Sequence, residues 1–133
     1  MLSIFEKYSL LDKNSFGVPA ICDFFCPVSS VEELKESVRH AQSQKLQIFI
    51  LAGGTNLILG KHVPGSVIHI QIDGKEVLQE TEDTVYLRIG AGENWHQLVT
   101  WTLNSGFFGL ENLALIPGSC GAAPVQNIGA YGT

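Results

Sequence analysis

An α+β domain is predicted by three features of the 133-residue sequence. A strand, an amphipathic helix and a second strand follow one another between Ile21 and Ala52. Short alternating segments from Val67 to Ile89 then read as an antiparallel meander. Glycine-rich turns at Gly53–Gly54, Gly90–Gly92 and Gly118–Gly132 each follow or adjoin an apolar strand. Mixed parallel and antiparallel pairing with few helices is the pattern of that class.

The first twenty residues carry mixed patterning, with Asn14-Ser15-Phe16-Gly17-Val18-Pro19 reading as a turn. Ile21 to Cys26 is rich in β-branched and aromatic residues and is closed by Pro27, which predicts a short strand. Ser29 and Ser30 each precede a glutamate by three residues, Glu32 and Glu33. At that spacing a hydroxyl and a carboxylate cap the first turn of a helix reciprocally. Val31, Leu34, Val38 and Ala41 then recur at helical spacing, with Glu33, Lys35, Glu36, Arg39 and Gln42 on a solvated face. The helix is expected to run to about Gln44. Leu46 to Ala52 is apolar apart from Gln47 and predicts a buried strand that empties into Gly53-Gly54-Thr55-Asn56. A βαβ unit ending in a glycine turn is a candidate anion site at a strand's C-terminal end.

In Val67 to Ile72, Ile68, Ile70 and Ile72 share one face, and His69 reads as a half-exposed strand residue opposite them. Asp73-Gly74 is a hairpin signal, Glu76 to Glu80 is expected to pair back, and Glu82-Asp83 turns the chain into Val85 to Ile89. Gly90-Ala91-Gly92-Glu93 is the next small-residue turn. Asn94, with Gln97 three residues on, caps a helix through Trp95, Leu98, Val99, Thr102 and Leu103, which Gly106 closes. Trp95 and Trp101 belong in a core or a domain interface, and His96 lies on the helix's polar side with no acid or nucleophile at a fixed spacing.

A net charge of −5 with eight Lys and Arg, and no basic run, argues against nucleic acid or an anionic membrane as partner. No apolar run approaches membrane-spanning length, and the first residues are too short and acidic for a signal peptide. Cys22, Cys26 and Cys120 are odd in number and lack ligand spacing, so neither a disulfide scaffold nor a metal site is expected, and a reducing cytoplasm is. Hydrophobic content of 45% with positive mean hydropathy points to apolar surface made to meet another domain, or to self-association.

From Leu115 to Gly132, four glycines and two prolines interrupt a small, apolar sequence. Bare backbone lets another object approach main-chain N–H groups, and Pro117 and Pro124 fix the segment's shape. That composition fits a backbone cradle for a large ligand, and also a tightly packed structural loop. The dinucleotide fingerprint is excluded because the Gly53 turn follows the second strand of its unit. Gly60-Lys61-His62 lacks the spacing and the hydroxyl residue of a P-loop. Any phosphate at Gly53 to Asn56 would therefore meet a nest of backbone N–H groups, helped by the Thr55 hydroxyl and the Asn56 amide.

Five segments carry a resemblance. Asn14-Ser15-Phe16-Gly17, Leu51-Ala52-Gly53-Gly54-Thr55-Asn56, Gly90-Ala91-Gly92-Glu93-Asn94-Trp95, Gly109-Leu110-Glu111-Asn112-Leu113-Ala114 and the Leu115 to Gly132 stretch occur in this order. Together, from about Asn14 onward, they closely resemble the N-terminal part of the UDP-N-acetylenolpyruvoylglucosamine reductase (UDP-N-acetylmuramate dehydrogenase) family. The resemblance implies an FAD-binding fold of the vanillyl-alcohol-oxidase (PCMH) type, two small α+β subdomains with the cofactor between them. Residues 1–65 would form the first subdomain and 66–133 the start of the second, ahead of a substrate domain.

It further implies that Ala52, Gly53, Gly54, Thr55, Asn56 and Leu57 wrap the FAD pyrophosphate. Ile116, Pro117, Gly118, Gly121, Ala122, Val125, Asn127, Gly129 and Ala130 would contact pyrophosphate, ribityl chain and isoalloxazine, with Tyr131 beside the substrate pocket. Asn56 stands where some relatives attach flavin to a histidine, so noncovalent FAD is expected. Ala52 stands where glycine is usual, and costs about 1 kcal/mol or more if positive φ is needed there. Ala122 replaces a serine of some members. In the complete enzyme NADPH is the reductant and a UDP-sugar the substrate, in bacterial, cytoplasmic peptidoglycan synthesis. The serine, arginine and glutamate of that chemistry have no counterpart in this chain, so no catalytic residue is assigned and the chain alone is expected to be inactive. The residues also leave open a non-catalytic nucleotide- or partner-binding module.

Overall fold

The computed structural model describes residues 2–130, which divide into two compact units, one ending at Ile72 and the other beginning at Asp73. In the first, strands β1 (Phe5–Ser9), β2 (Ile21–Val28), β3 (Ile48–Leu51) and β4 (His62–Ile70) form one sheet in the order β1-β2-β4-β3, and helix α1 (Val31–Ser43) links β2 to β3. β4 runs parallel to β2 and β3, while β1 is antiparallel to β2.

Local chemistry sets α1. Ser30 Oγ accepts the Glu33 N–H at 3.1 Å, and the Glu33 carboxylate accepts the Ser29 N–H at 2.9 Å, so Ser30 is the cap of the two candidates. The strand after it is shorter than Leu46 to Ala52. Lys45 turns the chain with φ 53°, and Gln47 is tied sideways, its carbonyl accepting the Ser66 N–H at 2.8 Å. That approach needs Gly65, where a Cβ would lie 2.2 Å from the Gln47 oxygen.

The meander expectation is corrected at Val67 to Ile72. The first four residues of this run, Val67 to Ile70, are the C-terminal part of β4, a parallel strand lying between β2 and β3, rather than one arm of a hairpin at Asp73-Gly74. The reason is burial on both faces. Val63 and Val67 pack into one core with Leu10, Ala20, Cys22, Phe25, Leu51 and Leu59. Ser66 and Ile68, on the other face, are also fully buried. A strand covered on both sides belongs at the centre of a parallel sheet. β1 carries no periodic apolar signal. Its residues are mostly exposed, and it is held by edge pairing and by Tyr8, whose ring stacks on Phe25 at 4.1 Å.

In the second unit, strands β5 (Lys75–Glu80) and β6 (Val85–Ile89) form an antiparallel hairpin closed by the Thr81 N–H to the Thr84 carbonyl. Helix α2 (Trp95–Asn104) follows, capped by Asn94 Oδ1 accepting the Gln97 N–H at 3.0 Å. Gly106, at φ 77°, terminates it as expected. Trp95, Leu98, Val99 and Ala123 form this unit's core, with Ile89, Trp101, Leu113, Ile116 and Ile128 packed around them. Trp95 is therefore a core residue, and the half-buried Trp101 packs against that core. Short 3₁₀ turns at Glu111–Leu113 and Cys120–Ala122 complete the chain's described part.

Candidate functional site: two glycine loops

The first loop, residues 52–57, leaves the end of β3 and is seated on the segment around Asn14. Gly54 has φ 63°, and a Cβ there would lie 2.1 Å from the Lys13 carbonyl oxygen, so only glycine fits. The Gly54 carbonyl accepts the Ser15 N–H at 2.9 Å. Asn14 makes the platform rigid. Its Nδ2 donates to the Leu10 and Val18 carbonyls at 2.7 and 3.1 Å, and its Oδ1 accepts the Val18 N–H at 2.9 Å. Among the described residues, the N–H groups of Gly53, Gly54, Thr55, Asn56 and Leu57 donate to no partner. Five consecutive unused amides on a fixed support are what an anion nest requires. Ala52 is not among the residues with positive φ, so alanine carries no backbone strain there.

The second loop, residues 115–130, is held by α2. The Trp95 indole N–H donates to the Leu113 carbonyl at 2.9 Å, and the Trp95 backbone N–H to the Gly118 carbonyl at 3.0 Å. His96 Nδ1 accepts the Leu115 N–H at 3.2 Å, so this histidine anchors the loop's entrance. The Gly90–Glu93 turn supports the other side. The Glu93 carbonyl accepts the Cys120 N–H at 2.8 Å, and the Ala91 carbonyl accepts the Gly121 N–H at 3.0 Å. A Cβ on Gly121 would sit 2.7 Å from the Ala91 Cβ. Gly121 thus serves close packing of loop on turn.

The segment is wound into successive turns rather than extended, and many of its amides are used internally. Ala122 donates to Ser119, Asn127 to Pro124 and Ala130 to Asn127. The Gln126 side chain donates to the Pro117 carbonyl at 3.3 Å. Ile116, Gly118, Ser119, Val125 and Gly129 keep N–H groups that donate to no partner among the described residues. Leu115 and Asn127 hold φ 64° and 52°, left-handed conformations uncommon outside glycine that cluster at ligand clamps. Tyr131 lies outside the described residues.

Two side chains with no site role assigned from the sequence complete the picture. Among the described residues, the buried side-chain nitrogens and oxygens without a hydrogen-bond partner are His69 Nδ1 and Ser119 Oγ. His69 pairs in register with Leu51, next to the first loop, and Ser119 lies in the second. Unpaired buried polar atoms cost about 1–3 kcal/mol each, so native chains retain them chiefly where something else supplies a partner. No local pattern signals an orphaned atom, which is why neither residue was legible beforehand.

Electrostatics set limits on the chemistry. Glu93 is almost fully buried and ion-paired with Lys75; the Lys75 ammonium, with the Gly74 N–H, holds its carboxyl below the ordinary value. Burial pushes the Cys120 thiol up to about 11, which makes it a poor nucleophile at neutral pH. Burial, and then the Lys13 ammonium, keep the His69 imidazole below its usual value. Ile58, Leu115 and Val125, at or beside the loops, are 82%, 78% and 83% exposed, so apolar side chains flank the free amides. A groove of about 550 Å³ between residues 80–87 and 102–110 contains none of the loop residues, and its rim of Glu80, Glu82 and Asp83 disfavours phosphate. No helix of the described residues is long and apolar enough to cross a membrane.

Each loop by itself offers groups that suit part of FAD: the first a run of amides for phosphate oxygens, the second spare N–H donors beside exposed apolar side chains. Residues 23–133 match the family described as FAD binding domain. The chain is 47% identical over 132 residues to a UDP-N-acetylenolpyruvoylglucosamine reductase of Flavobacterium johnsoniae, covering 99% of this chain and 39% of that protein. It is 39% identical to the same-named protein of Pseudomonas putida, covering 96% and 38%. In structure it is similar to the crystal structure of UDP-N-acetylenolpyruvylglucosamine reductase from Thermus caldophilus, with TM-score 0.63, 27% identity, and coverage of 92% of this chain and 41% of that one. The chain therefore spans about two fifths of the length of the relatives it matches.

Proposed function

This chain belongs to the FAD-binding-domain family, and from that premise we propose that it is the FAD-holding portion of a UDP-N-acetylenolpyruvoylglucosamine reductase. The observation that carries the proposal is the set of backbone N–H groups, in each glycine loop, that donate to no partner among the described residues. The amides of Gly53, Gly54, Thr55, Asn56 and Leu57, with the Thr55 hydroxyl and the Asn56 amide, take the pyrophosphate oxygens. Ala52 shapes the loop's start. In the second loop the free N–H groups of Ile116, Gly118, Val125 and Gly129 donate to the cofactor, while Pro117, Gly121, Ala122, Asn127 and Ala130 fix the loop's shape through bonds they already make. Ser119 adds a hydroxyl to that set.

The chemistry that bound FAD supplies is hydride transfer, from NADPH to the enolpyruvyl double bond of UDP-N-acetylglucosamine enolpyruvate, giving UDP-N-acetylmuramate for bacterial peptidoglycan. This chain's residues bind and orient; none of those described is an acid or base for the substrate. Asn56 has no nucleophilic ring nitrogen, so attachment is noncovalent. Backbone donors suit a chain of net charge −5, because they hold phosphate without a cationic cluster. Tyr131 is proposed to face the substrate, and the bacterial cytoplasm is the compartment where the UDP-sugar is met.

Titration of the purified chain with FAD, followed by flavin fluorescence, tests this. Saturable binding of one FAD per chain is expected, with all flavin released on denaturation; no uptake would refute the assignment. A double substitution that removes loop amides, Gly53→Pro with Val125→Pro, is expected to weaken binding at least tenfold if each lost donor is worth about 1 kcal/mol.

A further inference from the structure

We propose that His69 is a positioning residue for the first glycine loop, its buried Nδ1 acquiring a hydrogen-bond role when an anionic phosphate group occupies the amides of Gly53 to Leu57. The inference rests on the cofactor role of that loop and adds a residue to it.

Three observations carry it. His69 is opposite Leu51 in the β3–β4 register, one residue before the loop begins, at the C-terminal edge of parallel strands. Its ring packs against Phe25, with centroids 5.5 Å apart, so it is held in place rather than free in solvent. Among the described residues its buried Nδ1 has no hydrogen-bond partner. A histidine on the half-covered end of a strand needs no such arrangement; an apolar residue would fill the space without leaving a polar atom unpaired.

The charged groups acting on the ring are Lys13, which disfavours its protonation, and Asp12, which favours it, while the Ala52 backbone acts as an acceptor toward it. Lys13 and Asp12 are paired with each other at 2.9 Å, so neither is committed to His69. In the neutral ring one nitrogen carries the proton and the other is a bare lone pair. A phosphate anion on the neighbouring amides offsets Lys13 and favours the imidazolium, in which both nitrogens donate. The proton comes from solvent, and no bond is made or broken apart from that N–H.

Binding therefore takes up a proton at His69. FAD titration of the full chain at about pH 6 and about pH 8 is expected to show tighter binding at the lower value, by up to about tenfold per pH unit while the group titrates. In the same samples the His69 imidazole NMR resonance should titrate at higher pH with FAD bound than without. His69→Phe keeps the ring against Phe25 and removes the orphaned nitrogen. It is expected to leave the flavin-free chain's Tm equal or raised, to lower FAD affinity about tenfold at the lower pH, and to flatten the pH profile. A purely structural histidine would not separate stability from affinity in that direction.

Wild-type affinity and pH profile in His69→Phe would overturn the inference. Should that variant fail to fold, an unmoved His69 resonance in the FAD-saturated wild type would overturn it equally. If the wild type takes up no FAD, the loop's cofactor role falls and this inference falls with it; binding without a His69 shift refutes only the inference.

Discussion

At the scale of single residues, the first loop depends on the absence of a side chain at one position. Gly54 and Gly17 both hold positive φ, 63° and 61°, yet a Cβ on Gly54 would collide with Lys13 whereas one on Gly17 meets nothing within 4 Å. Gly17→Ala should cost about 1–2 kcal/mol, the dihedral penalty alone. Gly54→Ala adds a backbone collision and should cost clearly more, with loss of FAD binding; urea unfolding and flavin titration of the two variants check the contrast. Residues were legible from the sequence where the backbone itself was unusual, as in the glycine and proline runs. His69 and Ser119 were not, because whether a buried polar atom finds a partner depends on neighbours from distant elements. Ala52 would have strained the loop only at positive φ, which it does not adopt.

At the scale of elements, the two helices are capped alike but do different work. Ser30→Ala and Asn94→Ala each remove one cap hydrogen bond and should each cost about 1 kcal/mol in unfolding. Only α2 carries the second loop, through Trp95 and His96, so only Asn94→Ala should also weaken FAD binding. The Lys75–Glu93 pair ties the start of β5 to the turn beneath that loop. Because the Glu93 pKa is depressed in the folded chain, its stabilisation is present above the ordinary carboxylate value and is lost as pH falls through the folded one. Glu93→Gln should therefore lower stability at neutral pH and above, change little at the acid end, and so flatten the acid limb of a stability-against-pH curve. Helix signals are local, and both helices were read correctly. The place of β4 was not, since an apolar run records that a strand is buried but not which strands flank it.

At the scale of the whole chain, apolar surface remains uncovered. Phe16, Ile58, Phe108, Leu115 and Val125 are each more than half exposed. Ile58, Leu115 and Val125 adjoin the cofactor loops, so flavin-free protein is expected to self-associate with rising concentration, and saturating FAD to lower the mass seen by light scattering. An unchanged mass would place the sticky surface elsewhere, with Phe16 and Phe108. The fold class was legible because helix, strand and glycine periodicities agreed with one another.

The central claim is that this chain holds FAD through backbone amides, without a covalent link. Flavin bound per chain, measured before and after denaturing ultrafiltration, tests it most directly. The account predicts one FAD per chain before and none retained after. A chain that takes up no flavin under saturating conditions, or keeps it through denaturation, would contradict it.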